Sequence, residues 1–158
     1  MTLPIAIALG VRMLLVMLFL PFSALDKITN FNGAVAQAQQ AVPVRSFAVV
    51  MILLGLAVEV AMSAAILAGV GDRAAAFVLA GYCVVTALLW KRFWGQGDFW
   101  SDPNGKARVL FWDFLKNLAV AGGFLLITFG LTAGSVDAFF KAPLASTHPY
   151  SRGSGQLQ

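Results

Sequence analysis

Cysteine and histidine each occur once, as Cys83 and His148, and charged side chains make up only 11% of the 158 residues. A single cysteine excludes an internal disulfide and a CxxC redox pair. One histidine and one cysteine, far apart in the chain, make no zinc, haem or iron–sulfur site. Any metal or redox group therefore belongs to a partner or is held without such ligands. The shortage of charge excludes more. An ordinary soluble domain has roughly 25% charged residues. This chain has less than half of that, with 59% hydrophobic residues and a mean hydropathy of +0.82. One core of this size cannot bury so much apolar surface, so the solvent is lipid. The net charge is +4, but the basic residues are scattered and form no stripe, which excludes nucleic acid as a partner. In a membrane protein such an excess sits at loop ends, against anionic headgroups.

What is present is four apolar runs, at residues 4–25, 44–70, 74–90 and 109–132. Each has about the length that a hydrocarbon core requires. The first has no basic residue before its apolar stretch and no small-x-small cleavage signal after it, so a retained span is expected rather than a signal peptide. The second and third are joined by the tight turn Gly71-Asp72-Arg73 and must be antiparallel neighbours. The predicted fold is an all-α integral membrane protein, a four-transmembrane-helix bundle with both termini on the same face. The membrane domain covers residues 1–132. An extramembrane tail, 133–158, follows, and its last ten residues are expected to be mobile. A short helix on the membrane surface is expected over residues 30–41.

The connectors 26–43 and 91–108 share one face. All four tryptophans, Trp90, Trp94, Trp100 and Trp112, fall there and predict an interfacial aromatic belt. Lys27, Arg45, Lys91, Arg92, Lys106 and Arg108 lie on that face, and Arg73, Lys141 and Arg152 on the other. The bias predicts that the connector face is cytoplasmic. Small residues four apart, such as Ala76/Ala80 and Ala119/Gly123, predict close helix packing. With no inverted repeat and no Gly/Pro-interrupted span expected, a small-solute or proton carrier is the weakest functional reading.

Four ionisable residues lie inside the spans: Arg12, Glu59, Asp113 and Lys116. A lone charge at a helix centre costs about 2.5–3.5 kcal/mol on insertion scales, so pairing is expected. At 1.5 Å per residue, Arg12 and Glu59 lie at about the same depth, roughly 12–14 Å from the terminal face. An Arg12–Glu59 pair is therefore expected first. Lys116 is expected to reach toward Glu59, and Asp113 toward Lys27 or Arg108. Asp113, Lys116 and Asn117 share one helical face, which is expected to look into the bundle. Such a network is either a clamp that sets helix register or a proton- and quinone-handling site, with snorkelling to water as a third reading for Lys116 and Asp113. Glu59, Lys116, Trp90 and Trp94 are the candidate quinone and proton site, because aromatic rings at its mouth can stack a quinone ring.

Several stretches resemble the DoxX family of small four-span membrane proteins. Gly10-Val11-Arg12-Met13-Leu14-Leu15 is similar to the family's opening. Ser23-Ala24-Leu25-Asp26-Lys27-Ile28 resembles its small-residue-then-Lys ending of the first span. Pro43, Glu59, the turn from Gly69 to Ala75, Phe93-Trp94 and Phe114–Ala119 with Gly122-Gly123 follow in the family's order. The family's His before Phe-Trp is replaced by Lys91-Arg92, and its Gly-Gly pair after the acid by Val60-Ala61-Met62-Ser63. The resemblance implies a membrane subunit linked to oxidoreductases; the related DoxD proteins are subunits of a thiosulfate:quinone oxidoreductase. It implies an accessory or anchoring subunit of a membrane-bound oxidoreductase or electron-transfer complex, in a bacterial inner membrane, whose partners are lipid and other redox subunits or further copies of itself. The alternative is a quinone-binding oxidoreductase subunit in its own right. No cofactor ligand is readable in the sequence, and a quinone is the candidate cofactor.

Overall fold

The computed structural model describes residues 2–151. Among them the regular structure is helical, without strands, and four helical stretches are long and apolar enough to cross a membrane: Leu3–Thr29, Arg45–Ala68, Asp72–Gly95 and Lys106–Phe129. The helices are α1 (Leu3–Val16), α2 (Ala24–Thr29), α3 (Phe31–Gln39), α4 (Arg45–Ala68), α5 (Asp72–Trp90), α6 (Lys106–Phe129) and α7 (Ala133–Lys141). Both ends of the four-helix bundle's chain lie on one face.

The first span is broken, against the expectation of uninterrupted helices. Leu18–Ser23 holds a kink between two helices, where Leu20 stands in extended backbone with φ −125° and ψ 110°. The cause is Pro21. It has no N–H to donate, and its ring pushes the preceding residue out of the α region. Beyond the break the chain resumes as α2, with Ser23 and Lys27 one turn apart and turned toward α4. The break also buries Phe19, whose ring lies 6.1 Å from Tyr82 and 5.7 Å from Phe124.

Val16, Phe19, Ile66, Leu79 and Phe124 form the core. α5 gives it its small-residue face, Ala75, Ala76, Ala80, Cys83 and Ala87 all being buried. α6 packs most closely there, as small residues permit. At Gly123 an added Cβ would lie 2.8 Å from Leu15 Cδ2, so the Leu15 side chain of α1 packs directly over the bare backbone of α6. The helix of the 26–43 connector is α3, shorter than expected. It lies on the bundle rather than loose on the membrane, burying Val35 and Ala38 against Ala48.

The segment after the fourth span is also more ordered than expected of a tail. α7 is capped by Thr132 and Ser135 and presses Phe139 onto Phe77 and Phe129 at 5.8 and 5.1 Å. The chain then returns to the turn between α4 and α5. Gly69 ends α4 in the left-handed region, φ 70°, as helix C-termini often do. Its bare Cα is where the tail seats, since a Cβ there would lie 2.9 Å from Pro149. Tyr150 OH donates to the Leu67 carbonyl at 2.5 Å. Of the ten residues expected to be mobile, Pro149 and Tyr150 are packed on the bundle; Arg152, counted above on the terminal face, and the residues after it lie outside the described residues.

Candidate functional site

The expected Arg12–Glu59 pair does not form. Each takes another partner, at opposite ends of the bundle. Arg12 Nη2 meets Asp72 Oδ2 at 2.7 Å, and its Nη1 donates to the Ile66 carbonyl at 2.6 Å. Thr147 completes this cluster. Its N–H and hydroxyl donate to the two Asp72 oxygens at 2.9 and 2.5 Å, and its oxygen accepts from Arg12 at 2.7 Å. Asp72, read from the sequence as a turn residue, is fully buried. It opens α5, where a carboxylate also suits the helix dipole.

Glu59 pairs instead with Lys27. Nζ lies 2.7 Å from Oε1 and 2.9 Å from Oε2. Ser23 Oγ and Tyr82 OH also donate to Oε1, at 3.0 and 2.8 Å, and Lys27 donates to Ser23 Oγ at 2.5 Å. The Glu59 side chain is 1% exposed and that of Lys27 15%. A buried carboxylate is tolerable only when paired and hydrogen-bonded, and here it has both. Oε1 accepts from three donors and Oε2 from Lys27 alone, so Oε2 keeps acceptor capacity.

This cluster borders a cavity of about 340 Å³. Phe19, Ile52 and Trp90 supply apolar walls, and Lys91, Gln37 and Asn117 polar edges. Trp90 Nε1 donates to the Gln37 carbonyl at 3.1 Å, which fixes the indole and ties α5 to α3. Lys91 Nζ donates to Asp113 at 3.0 Å. Asn117 donates to the Asp113 carbonyl at 2.9 Å.

Two of the four expected site residues, Glu59 and Trp90, are thus brought together. The other two are not. Lys116 is 74% exposed and its ammonium goes 3.4 Å to Asp113 on its own helix, not to Glu59. Asp113 takes Lys91 rather than Lys27 or Arg108. The α6 stripe therefore looks only partly inward. Asp113 is seven residues from the helix start, about 10 Å at 1.5 Å per residue, which sets the Lys91–Asp113–Lys116 group toward the connector end of the span. Trp94 is 54% exposed and belongs to an aromatic belt with Phe93 and Phe114, at 5.1 and 5.8 Å.

Lys27, Ser23, Tyr82 and Lys91 were not expected in the site. Lys27 and Ser23 carried a signal: they are four residues apart, so one helical face presents both. Tyr82 had none, because a tyrosine in an otherwise uncharged span reads as apolar.

The family model named DoxX matches residues 6–92, more than half of the chain. The match takes in Arg12, Ser23, Lys27, Glu59, Asp72 and Tyr82, and ends before Phe114–Ala119. No curated protein and no solved structure matches the chain.

Proposed function

The chain belongs to the DoxX family, and from that premise we propose that it is the membrane subunit of an oxidoreductase complex and binds a quinone in the cavity beside Glu59. Of the two leading roles expected from the sequence, anchoring and quinone binding, only the second needs a cavity. The observation that carries the reading is that cavity: about 340 Å³, the size of a small-molecule site, with a buried Lys27–Glu59–Tyr82 cluster on its wall.

The residues present fit a quinone. Ring carbonyls call for donors at the edges and flat apolar walls between them. Lys91 spends one of its three N–H bonds on Asp113 among the described residues, so two remain to give. Gln37 lies on the same lining, together with the aromatic residues Phe19 and Trp90. When bound, a quinone supplies an acceptor for two electrons and two protons. The chain's own part is to hold the ring and keep protons at hand. Ser23, Lys27, Glu59 and Tyr82 form one connected hydrogen-bond network, and Glu59 Oε2 is the oxygen with room for a proton. Electrons come from a partner subunit. We place the assembly in a bacterial cytoplasmic membrane, with the connector face, and so the cavity, toward the cytoplasm.

The test is purification from the native membrane in mild detergent, with mass spectrometry of bound proteins and small molecules. A redox partner and a quinone should co-purify, and Glu59→Gln should deplete the quinone while keeping the partner. A lone 16.8 kDa species, with neither under any gentle condition, overturns the reading.

A further inference from the structure

A second cavity of about 260 Å³ adjoins the first and shares Lys27, Ile52, Tyr82, Thr86 and Trp90 with it. The two differ in character. Beyond the shared residues the first adds the polar Gln37, Lys91 and Asn117. The second adds only Met51, Leu54, Gly55, Val58, Val85 and Leu89, which carry no polar side-chain group. These six lie on α4 and α5 alone, so the second cavity is a cleft between two spans. Leu54 is 62% exposed and Val85 52%. Both sit on the outer face of membrane-spanning helices, where the neighbour is acyl chain rather than water. The cleft therefore opens sideways to lipid. Gly55 and Tyr82 form its inner boundary. A Cβ at Gly55 would lie 3.2 Å from Tyr82 OH, the hydroxyl that donates to Glu59 at 2.8 Å. The same glycine thus makes room for the cleft and for the hydroxyl of the polar cluster.

We propose that the site takes a ring with a long apolar tail from the bilayer, the ring beside Glu59 and the tail leaving through the α4–α5 cleft. This rests on the quinone reading above and adds the ligand class and its route. The occupant follows from continuity. A polar cavity for a ring and an apolar cleft for a chain share five lining residues, and the cleft ends where alkyl chains already are. A water-soluble ligand would have no use for an apolar cleft. A tail lying there exchanges one apolar neighbour for another, so its direct contact gain over bilayer lipid is small. Its advantage comes from alignment: a tail seated in the cleft holds the ring beside Glu59, and that is the gain the tailed probe reads.

The test uses the full chain in lipid nanodiscs and two probes: a tail-less dimethoxy-methyl-benzoquinone and the same ring with a decyl tail. Binding is read by quenching of tryptophan fluorescence and referred to the probe concentration in the lipid phase. The parent protein should bind both, the tailed ring about tenfold more tightly, equivalent to ~1.4 kcal/mol. Val85→Trp, which fills the cleft mouth from α5, should abolish that advantage and leave the tail-less affinity unchanged. Leu54→Trp fills it from α4, and either variant serves should the other not fold. Equal binding of the two probes to the parent overturns the cleft, which then holds only bilayer lipid. So does an unchanged advantage in both variants, or a parallel loss for both probes. Failure of the parent to bind either ring sinks the quinone reading itself, and this inference with it.

Discussion

Two buried ion pairs stand at opposite ends of this bundle. Arg12–Asp72 and Lys27–Glu59 both close to 2.7 Å, and each acid is essentially out of contact with solvent. Around Arg12 and Asp72 the further hydrogen-bonding partners among the described residues are the Ile66 carbonyl and the Thr147 backbone and hydroxyl. Around Lys27 and Glu59 the network borders open space. Under the quinone reading, the second pair is the one that meets the ligand. Burial of a charge is thus a poor guide to function in a membrane helix. What separates a clamp from a site is whether the surrounding volume is filled.

The largest stability effect should fall at the filled end. Arg12→Ala leaves Asp72 buried and short of its charge partner. Breaking such a pair in soluble proteins costs about 3–5 kcal/mol, while polar contacts within membranes average nearer 0.6 kcal/mol. With Arg12 8% exposed and Asp72 fully buried, Arg12→Ala should fall at the upper end, as a loss of resistance to unfolding in mixed detergent micelles. Ring binding in the protein that remains folded should be unchanged. A loss of binding without a loss of stability would reverse the assignment of the two ends.

Glu59→Ala should cost less, about 2 kcal/mol, because Lys27 is 15% exposed and its stem can carry the ammonium to the interface. Glu59→Gln should cost about 1 kcal/mol, since an amide oxygen still accepts from Lys27. Both should weaken ring binding more than tenfold. Exchanging the pair, as Lys27→Glu with Glu59→Lys, should recover stability without recovering binding. Recovery of both would make this pair a clamp too.

A matched pair of hydroxyl deletions sharpens the contrast. Thr147→Val and Tyr82→Phe each remove one O–H bond to a buried carboxylate. Hydrogen bonds to charged groups are worth about 1.5 kcal/mol, so Tyr82→Phe should destabilise by about that much and Thr147→Val by more, because its oxygen also accepts from Arg12. Only Tyr82→Phe should lower ring affinity, by several-fold in the same fluorescence titration. Equal effects on binding would mean that the two ends are coupled through α4 and α5.

The number and nature of the spans were legible in the sequence, because hydropathy acts over twenty residues and tolerates local exceptions. The pairing of charges was not. Depth counted along a helix placed Arg12 and Glu59 at one level, but depth says nothing of which faces meet. The face of the first span changes at Pro21, where the chain kinks, and beyond the kink Ser23 and Lys27 meet Glu59. That proline was visible, and its consequence follows from the missing N–H and the restricted Leu20. Asp72 was hidden for a different reason. Its partners include Thr147, 75 residues away, and nothing local announces a contact supplied by a returning tail.

Lys116 makes the smallest prediction and the sharpest check on this distinction. By sequence it belongs with Glu59: it is ionisable, lies inside an apolar span, and shares a face with Asp113 and Asn117. By structure it is 74% exposed, at 3.4 Å from an Asp113 that already holds Lys91 at 3.0 Å. Removing it leaves Asp113 paired. Exposed ion pairs contribute about 0.2–1 kcal/mol at most, and this one is long and shares its acid with a shorter partner. Lys116→Ala should therefore change stability by less than about 0.5 kcal/mol and leave ring affinity untouched. Lys91→Ala, on the cavity lining, should lower ring affinity by several-fold. The comparison is internal: two lysines on one aspartate, one bordering the cavity and one outside it. A Lys116→Ala variant that loses binding while Lys91→Ala keeps it would move the site to the outer face of α6, and the cavity beside Glu59 would lose its claim to the ring.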